Sequence, residues 1–204
     1  MNQNGPSTGL NQRTLKSRIH CAGVGLHSGR RVSLTIAPAR INAGIRFRRT
    51  DIRGSRSEIP ARWDHVVDTR LCTVIGRADG VTVGTIEHLM AALRGCGVDN
   101  ALIELDGAEV PILDGSADPF VFLIESAGTV EQAAPRQAVR ILKTVAVGDA
   151  RRGAVLRPGQ GCRFDFEIDF NSAAIAHKNG SLALVNGAFK HEVASARTFC
   201  FLHE

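Results

Sequence analysis

Val32, Leu34 and Ile36 fall on one side of a run whose other positions are mostly polar, the period of a half-buried strand, and Pro38 ends it. Ile45–Arg49 reads as the partner of that strand and Leu71–Ile75 as another. The period changes over Thr85–Leu93, where Ile86, Leu89, Met90 and Leu93 recur at i, i+3, i+4 and i+7, one face of a helix. Thr85 is placed to cap that helix, and Gly95 and Gly97 are natural stop signals. Ala101–Leu105 returns to strand, and Asp106-Gly107 makes a tight turn. Asp118-Pro119 then opens a second helix as N-cap and N1, and Gly128 closes it.

The remainder is patterned differently. Thr129–Arg136 is polar, aperiodic and carries a proline, which predicts a linker over 129–136. Val139–Val147 reads as a strand. Arg163–Phe170 alternates cleanly, with Phe164, Phe166, Ile168 and Phe170 against Arg163, Asp165, Glu167 and Asp169. Ala188–Ala194 suggests a short helix and Arg197–Leu202 an apolar strand. Residues 1–12, rich in Asn, Gly, Ser and Thr, predict a disordered tail. The expected organisation is that tail, an α+β unit over 13–128, the linker, and a partial second α+β unit over 137–204. Runs of strands with grouped helices are α+β organisation rather than alternating βαβ.

Composition adds a few exclusions. The 204 residues are 44% apolar, enough for a real core. Twenty-five Lys and Arg against 20 Asp and Glu give +5, which suits an anionic partner such as a phosphorylated small molecule or a nucleic acid. Aromatic content is 5% with no tyrosine, and no nucleic-acid motif occurs, so no nucleic-acid partner is expected. The cluster Arg46, Arg48, Arg49, Arg53 and Arg56 reads as a solvated strand edge and loop. Five scattered cysteines without a C-x-x-C pair read as free thiols of a reducing compartment. The N-terminus has no apolar signal-peptide core, and no apolar run approaches a membrane span, so a cytoplasmic protein without membrane insertion is expected.

Candidate chemistry starts at Glu87–His88. At about 100° per residue, His88 lies off the apolar stripe of its helix, so the core does not claim it. Ala91 and Ala92, three and four residues on, are small and leave room around the ring. A His beside a Glu at a helix start suits a metal ligand with an adjacent base, although a lone helical His is more often structural.

The wider register narrows the choice. Thr85-Ile-Glu-His-Leu89, Gly97-Val-Asp-Asn100 and Pro111-Ile-Leu-Asp-Gly-Ser116 follow one another, with Pro119-Phe120 after them. Gly23-Val-Gly-Leu-His-Ser-Gly29, Arg48-Arg-Thr-Asp51 and Asp68-Thr-Arg-Leu-Cys-Thr73 precede them; Glu167-Ile-Asp-Phe170 and Ala196-Arg-Thr-Phe199 come after. From about Thr14 onward the chain resembles the UDP-3-O-acyl-N-acetylglucosamine deacetylase family, zinc enzymes of the committed step of lipid A synthesis. The resemblance implies two similar α+β sandwiches, each an antiparallel sheet with a helix pair, the second incomplete in these residues. It implies Zn2+ as cofactor, with His88 as one ligand and Glu87 as the general base toward a zinc-bound water. Thr198 is implied as the oxyanion-stabilising hydroxyl, Phe199 as an aromatic packing on the sugar, and Leu71 as part of a substrate-contacting strand. His27 is a candidate for the diphosphate, with an exposed turn histidine as the equal alternative. Asp114 reads as a turn former.

The family's remaining ligands, a His-Lys-x-x-Asp arrangement, and its later general-acid histidine have no counterpart here; His65 and Asp68 precede a strand instead. The expectation is therefore a C-terminally truncated member that hydrolyses nothing by itself, from a protein that acts as a monomer when complete. The alternative is a catalytically silent UDP-acyl-sugar-binding or regulatory paralogue, against which the retained Glu87, Thr198 and Phe199 argue.

Overall fold

The computed structural model describes residues 10–53, 58–149, 151–170, 176–184 and 187–198. They form two compact units, one running to Arg136 and including the segment from Ala194, the other covering Gln137–Val193. In the first unit the order is β1 (Asn11–Leu15), β2 (Ile19–Val24), β3 (Arg31–Pro38), β4 (Ile45–Arg49), β5 (Glu58–Pro60), β6 (Val66–Asp68), β7 (Val74–Gly76), β8 (Thr82–Val83), α1 (Glu87–Gly95), β9 (Ala101–Leu105), α2 (Asp118–Ala127) and β10 (Thr129–Pro135). The class is α+β.

A five-stranded sheet, in the order β2-β3-β9-β4-β5, carries the core. Val32, Leu34 and Ile36 are buried on β3 as their alternation predicts, alongside Phe47, Ile59, Ala101, Ile103 and Leu105. Leu89, Ala92 and Leu93 of α1 and Phe120, Val121, Ile124 and Ala127 of α2 are the buried stripes of the two helices, which pack together. Ile45–Arg49 is a strand with the expected bounds, but it does not pair with β3. Strand β9 lies between them, antiparallel to β3 and parallel to β4. Local pattern shows which residues bury a face; it cannot show that a later strand, apolar at every second position, will take the central place.

Five boundaries differ from expectation. Residues 129–135 form β10 rather than a linker, pairing antiparallel with β1 from Leu15↔Thr129 to Asn11↔Pro135. That pairing also takes Asn11 and Gln12 out of the expected tail, and Gln12 is 5% exposed. A polar sequence forms strand here because its partners are buried amides: the Asn100 amide group donates to Gln12 Oε1 (2.8 Å) and Gln132 Oε1 (2.7 Å), while its own oxygen accepts from Gly44 N (2.8 Å). Leu71 lies in a bend before β7, 80% exposed, and is not in a strand. Helix α1 starts at Glu87 with Ile86 as N-cap; Thr85 adopts a left-handed backbone (φ 56°) and its hydroxyl turns to Glu109 (3.0 Å) instead of capping. In α2 the capping position is Ala117, so Asp118 is the first helical residue.

The end of α1 follows the sequence. Gly97 (φ 71°) donates to Arg94 O at 3.0 Å and Val98 to Leu93 O at 2.9 Å, closing a Schellman turn over two buried side chains.

In the second unit, β11 (Val145–Gly148) pairs with β12 (Gly153–Leu156), and β13 (Arg163–Asp169) with β14 (His177–Ala183). The expected strand from Val139 is confined to its last residues. Phe164 and Phe166 are 54% and 56% exposed, and Phe166 lies over Gly180, where a Cβ would meet its ring at 2.4 Å. Phe189–Val193 forms a single π turn where a short helix was expected. The strand expected at Arg197–Leu202 lies largely outside the described residues, and 196–198 are irregular.

Carboxylates pair with Arg46, Arg48 and Arg49 of the arginine cluster. Arg46 bonds Glu58 at 2.9 Å, Arg48 bonds both Glu58 and Glu104 (3.0 Å to the latter), and Arg49 bonds Asp51 at 2.6 Å. The hydrogen-bonded Arg48 guanidinium holds the Glu58 carboxyl below its ordinary value against the opposing effect of burial, and Arg46 adds to the lowering. A carboxyl depressed in the folded state contributes stability that is full above about pH 4.5 and lost as pH falls through the folded value. Glu58→Gln is thus expected to lower the thermal midpoint at pH 7 and to flatten the acid limb of a stability-against-pH curve. Asn100→Ala leaves Gly44 N and the Gln132 carbonyl oxygen without this partner, and chemical denaturation is expected to show a loss of about 2–3 kcal/mol.

Candidate functional site

The turn between β2 and β3 is the glycine-rich segment that the sequence marks. Gly25 N donates to Arg30 O (2.9 Å) and Gly29 N to Gly25 O (3.0 Å), so residues 25–30 curl back on themselves. The amides of His27 and Ser28 point at the Glu109 carboxylate, at 2.9 and 3.0 Å. Gly25 leaves room for this approach, since a Cβ there would crowd the Glu109 carboxylate and the Ser28 hydroxyl. Burial raises the Glu109 pKa, but the hydrogen bonds from His27 N, Ser28 and Thr85 outweigh it, and the carboxyl ends below its ordinary value.

A cleft of about 780 Å³ opens beside this turn, lined by His27, Arg70, Leu71, Cys72 and Glu109 among others. Two of the expected substrate contacts, His27 and Leu71, thus share one cavity although they are far apart in sequence. Leu71 reaches it from the bend of the Asp68–Thr73 segment. Within that segment the hydrogen-bonded Arg70 guanidinium pulls the Asp68 carboxyl down to about 2, so the cleft wall carries an ion pair at any physiological pH.

Glu87 and His88 are the first two residues of α1 and leave it in different directions. Glu87 is exposed, and its carboxylate accepts the amide of Thr73, the residue after the cleft-lining Cys72. His88 is half-buried. Its Nε2 stands 3.0 Å from Pro111 O, and its ring meets Phe120 edge-on at 5.1 Å between centroids. A carbonyl can only accept, so Nε2 carries the proton and Nδ1 presents the lone pair. A second group fixing the ring and its tautomer is what a metal-ligating histidine needs. Among the described residues, however, no group of three or more His, Cys, Asp or Glu is placed to hold a metal ion. A catalytic zinc takes three protein ligands, so the described residues by themselves do not fit one.

Thr198 follows Arg197, whose guanidinium reaches Asp114 at 3.3 Å. The amides of Ala117 and Asp118, at the start of α2, donate to Ala194 O (2.9 and 3.1 Å), and Ala194 is fully buried. The segment carrying Thr198 is therefore anchored at the α2 start. Thr198 itself is exposed, and Phe199 lies outside the described residues. Asp114 accepts from Ser116 N (2.9 Å) and Ser116 Oγ (2.8 Å), the turn-forming arrangement expected of it. Sequence reasoning missed Glu109. Its only signal was an acidic residue in a strand-like apolar run just before Pro111, which by itself names no partner.

Comparison with known proteins agrees with the register of motifs. A sequence model of the family described as UDP-3-O-acyl N-acetylglycosamine deacetylase matches residues 12–204. A curated UDP-3-O-acyl-N-acetylglucosamine deacetylase of Shewanella halifaxensis is 47% identical over 195 residues, covering 95% of this chain and 63% of the relative. That of Pseudoalteromonas atlantica is 45% identical over 197 residues, covering 96% and 64%. That of Chromohalobacter salexigens is 47% identical over 197 residues, again 96% and 64%. The chain spans a little under two thirds of the length of the curated relatives it matches. On the family match across nearly its whole length, with these identities, the chain belongs to the UDP-3-O-acyl N-acetylglycosamine deacetylase family.

Proposed function

We propose that this chain carries the Glu87–His88 part of a zinc-dependent deacetylase site, for hydrolysis of the acetamide of UDP-3-O-acyl-N-acetylglucosamine to acetate and the free amine in lipid A synthesis. The observation that supports the reading is the setting of Glu87: an exposed carboxylate that accepts the amide of Thr73, next in sequence to the cleft-lining Cys72, beside a histidine whose ring is oriented by a carbonyl and an aromatic edge. His88 would be one ligand of a zinc ion, whose further donors would come from outside the described residues. Zinc, when bound, polarises the acetamide carbonyl and acidifies water.

The chain's own groups then divide the remaining work. Glu87 takes the proton from the attacking water, its carboxylate pointed by the Thr73 amide. Thr198 donates its hydroxyl to the developing oxyanion. Phe199 packs on the sugar. Leu71 and His27 contact substrate from two walls of the cleft, His27 toward the diphosphate. A nucleotide-sugar substrate and free thiols at Cys21, Cys72 and Cys162 suit a cytoplasmic setting, and the protein acts as a monomer.

Acetate release from UDP-3-O-acyl-N-acetylglucosamine tests the reading. With the zinc site complete, Glu87→Gln is expected to lower kcat by about 10²–10⁴-fold with KM little changed; undiminished turnover would remove Glu87 as the base. His88→Ala is expected to reduce bound zinc measured by metal analysis. These 204 residues assayed alone with added zinc are expected to release no acetate, because one imidazole does not hold a catalytic zinc.

A further inference from the structure

Glu109 is a buried carboxylate, 7% exposed, to which the chemistry above gives no part. It stands where two functional segments meet. Its Oε1 accepts from His27 N (2.9 Å) and from the Thr85 hydroxyl (3.0 Å), and its Oε2 accepts from Ser28 N (3.0 Å). The backbone reinforces the second contact: Gly84 N donates to Ala108 O (2.9 Å) and Val110 N to Gly84 O (3.1 Å). Thr85, in its left-handed conformation, is two residues before Glu87. A single side chain therefore joins the His27 turn to the entry of the catalytic helix.

We propose that Glu109 is a positioning residue that locks the 25–29 turn to the start of α1, so that His27 on the cleft wall and the Glu87–His88 pair are held in one fixed relation. This rests on the proposed function, in which His27 meets the substrate diphosphate. The chemistry requires a carboxylate. The two oxygens together accept from His27, Ser28 and Thr85, whereas an amide of the same shape presents one oxygen and turns N–H groups toward N–H groups. Gly25 allows the close approach, and Thr85 gives up its capping role to supply the third donor.

The test uses the full chain with UDP-3-O-acyl-N-acetylglucosamine as the calorimetric probe, and amide hydrogen exchange as a readout independent of substrate. Glu109→Gln is expected to speed exchange at His27 and Ser28 at least tenfold while the α1 amides of Leu89–Leu93 keep their protection. It is expected to weaken probe binding about tenfold, as His27→Ala does, and the double variant is expected to bind no more weakly than either alone. Additive losses, or unchanged exchange at His27 and Ser28, overturn the proposal. Should Glu109→Gln not fold, Thr85→Val removes one donor and keeps the carboxylate, and its binding loss is likewise expected not to add to that of His27→Ala; additivity there overturns the proposal equally. A wild-type chain that does not bind the probe overturns the functional reading, and the exchange experiment then decides the lock by itself.

Discussion

Strand β9 is the constraint on which the arrangement of the first unit depends. It is the middle strand of the five, and Ala101, Ile103 and Leu105 are buried to 1% exposure or less. Chain leaves it in two directions that matter. Upstream, Asn100 is locked to Gly44, Gln12 and Gln132, and the Schellman turn at Gly97 delivers α1 from that point. Downstream, the chain runs through Glu109 to Pro111, which meet the His27 turn and the His88 ring. The pair Glu87–His88 is thus positioned from both ends of one strand. A shift of β9 by one residue would turn its apolar face to solvent and separate both sets of contacts.

Charge acts locally rather than as a field. A net charge of +5 suggests a basic surface, yet Arg46, Arg48 and Arg49 each face a carboxylate in or beside the sheet. At the cleft, Arg70 is paired with Asp68.

The family match covers residues 12–204, and the geometry shows what individual turn residues accomplish in this chain. Asp114 shapes the turn before α2 and also receives Arg197, fixing the segment that leads to Thr198. Pro111 contributes its carbonyl to the His88 ring. Both residues look like simple turn punctuation in the sequence.

Much of this protein was legible in the one-dimensional pattern. The alternation at Val32–Ile36, the helical stripe from Ile86 to Leu93 and the glycine stop at Gly97 are local signals, and each formed as its chemistry dictates. The Glu87–His88 pair stood out because it lies off that stripe, and the order of the motifs identified the family. Tertiary structure decided the rest, because it turns on partners distant in sequence. A polar stretch at 129–135 became a strand once β1 and the Asn100 amide were available to it. Strand β4 found β9 rather than β3. Thr85 left its capping position for Glu109, a carboxylate 24 residues away. Periodicity reports which face of an element is buried; only the folded chain determines which polar groups meet there, and so where Glu87 and His88 point.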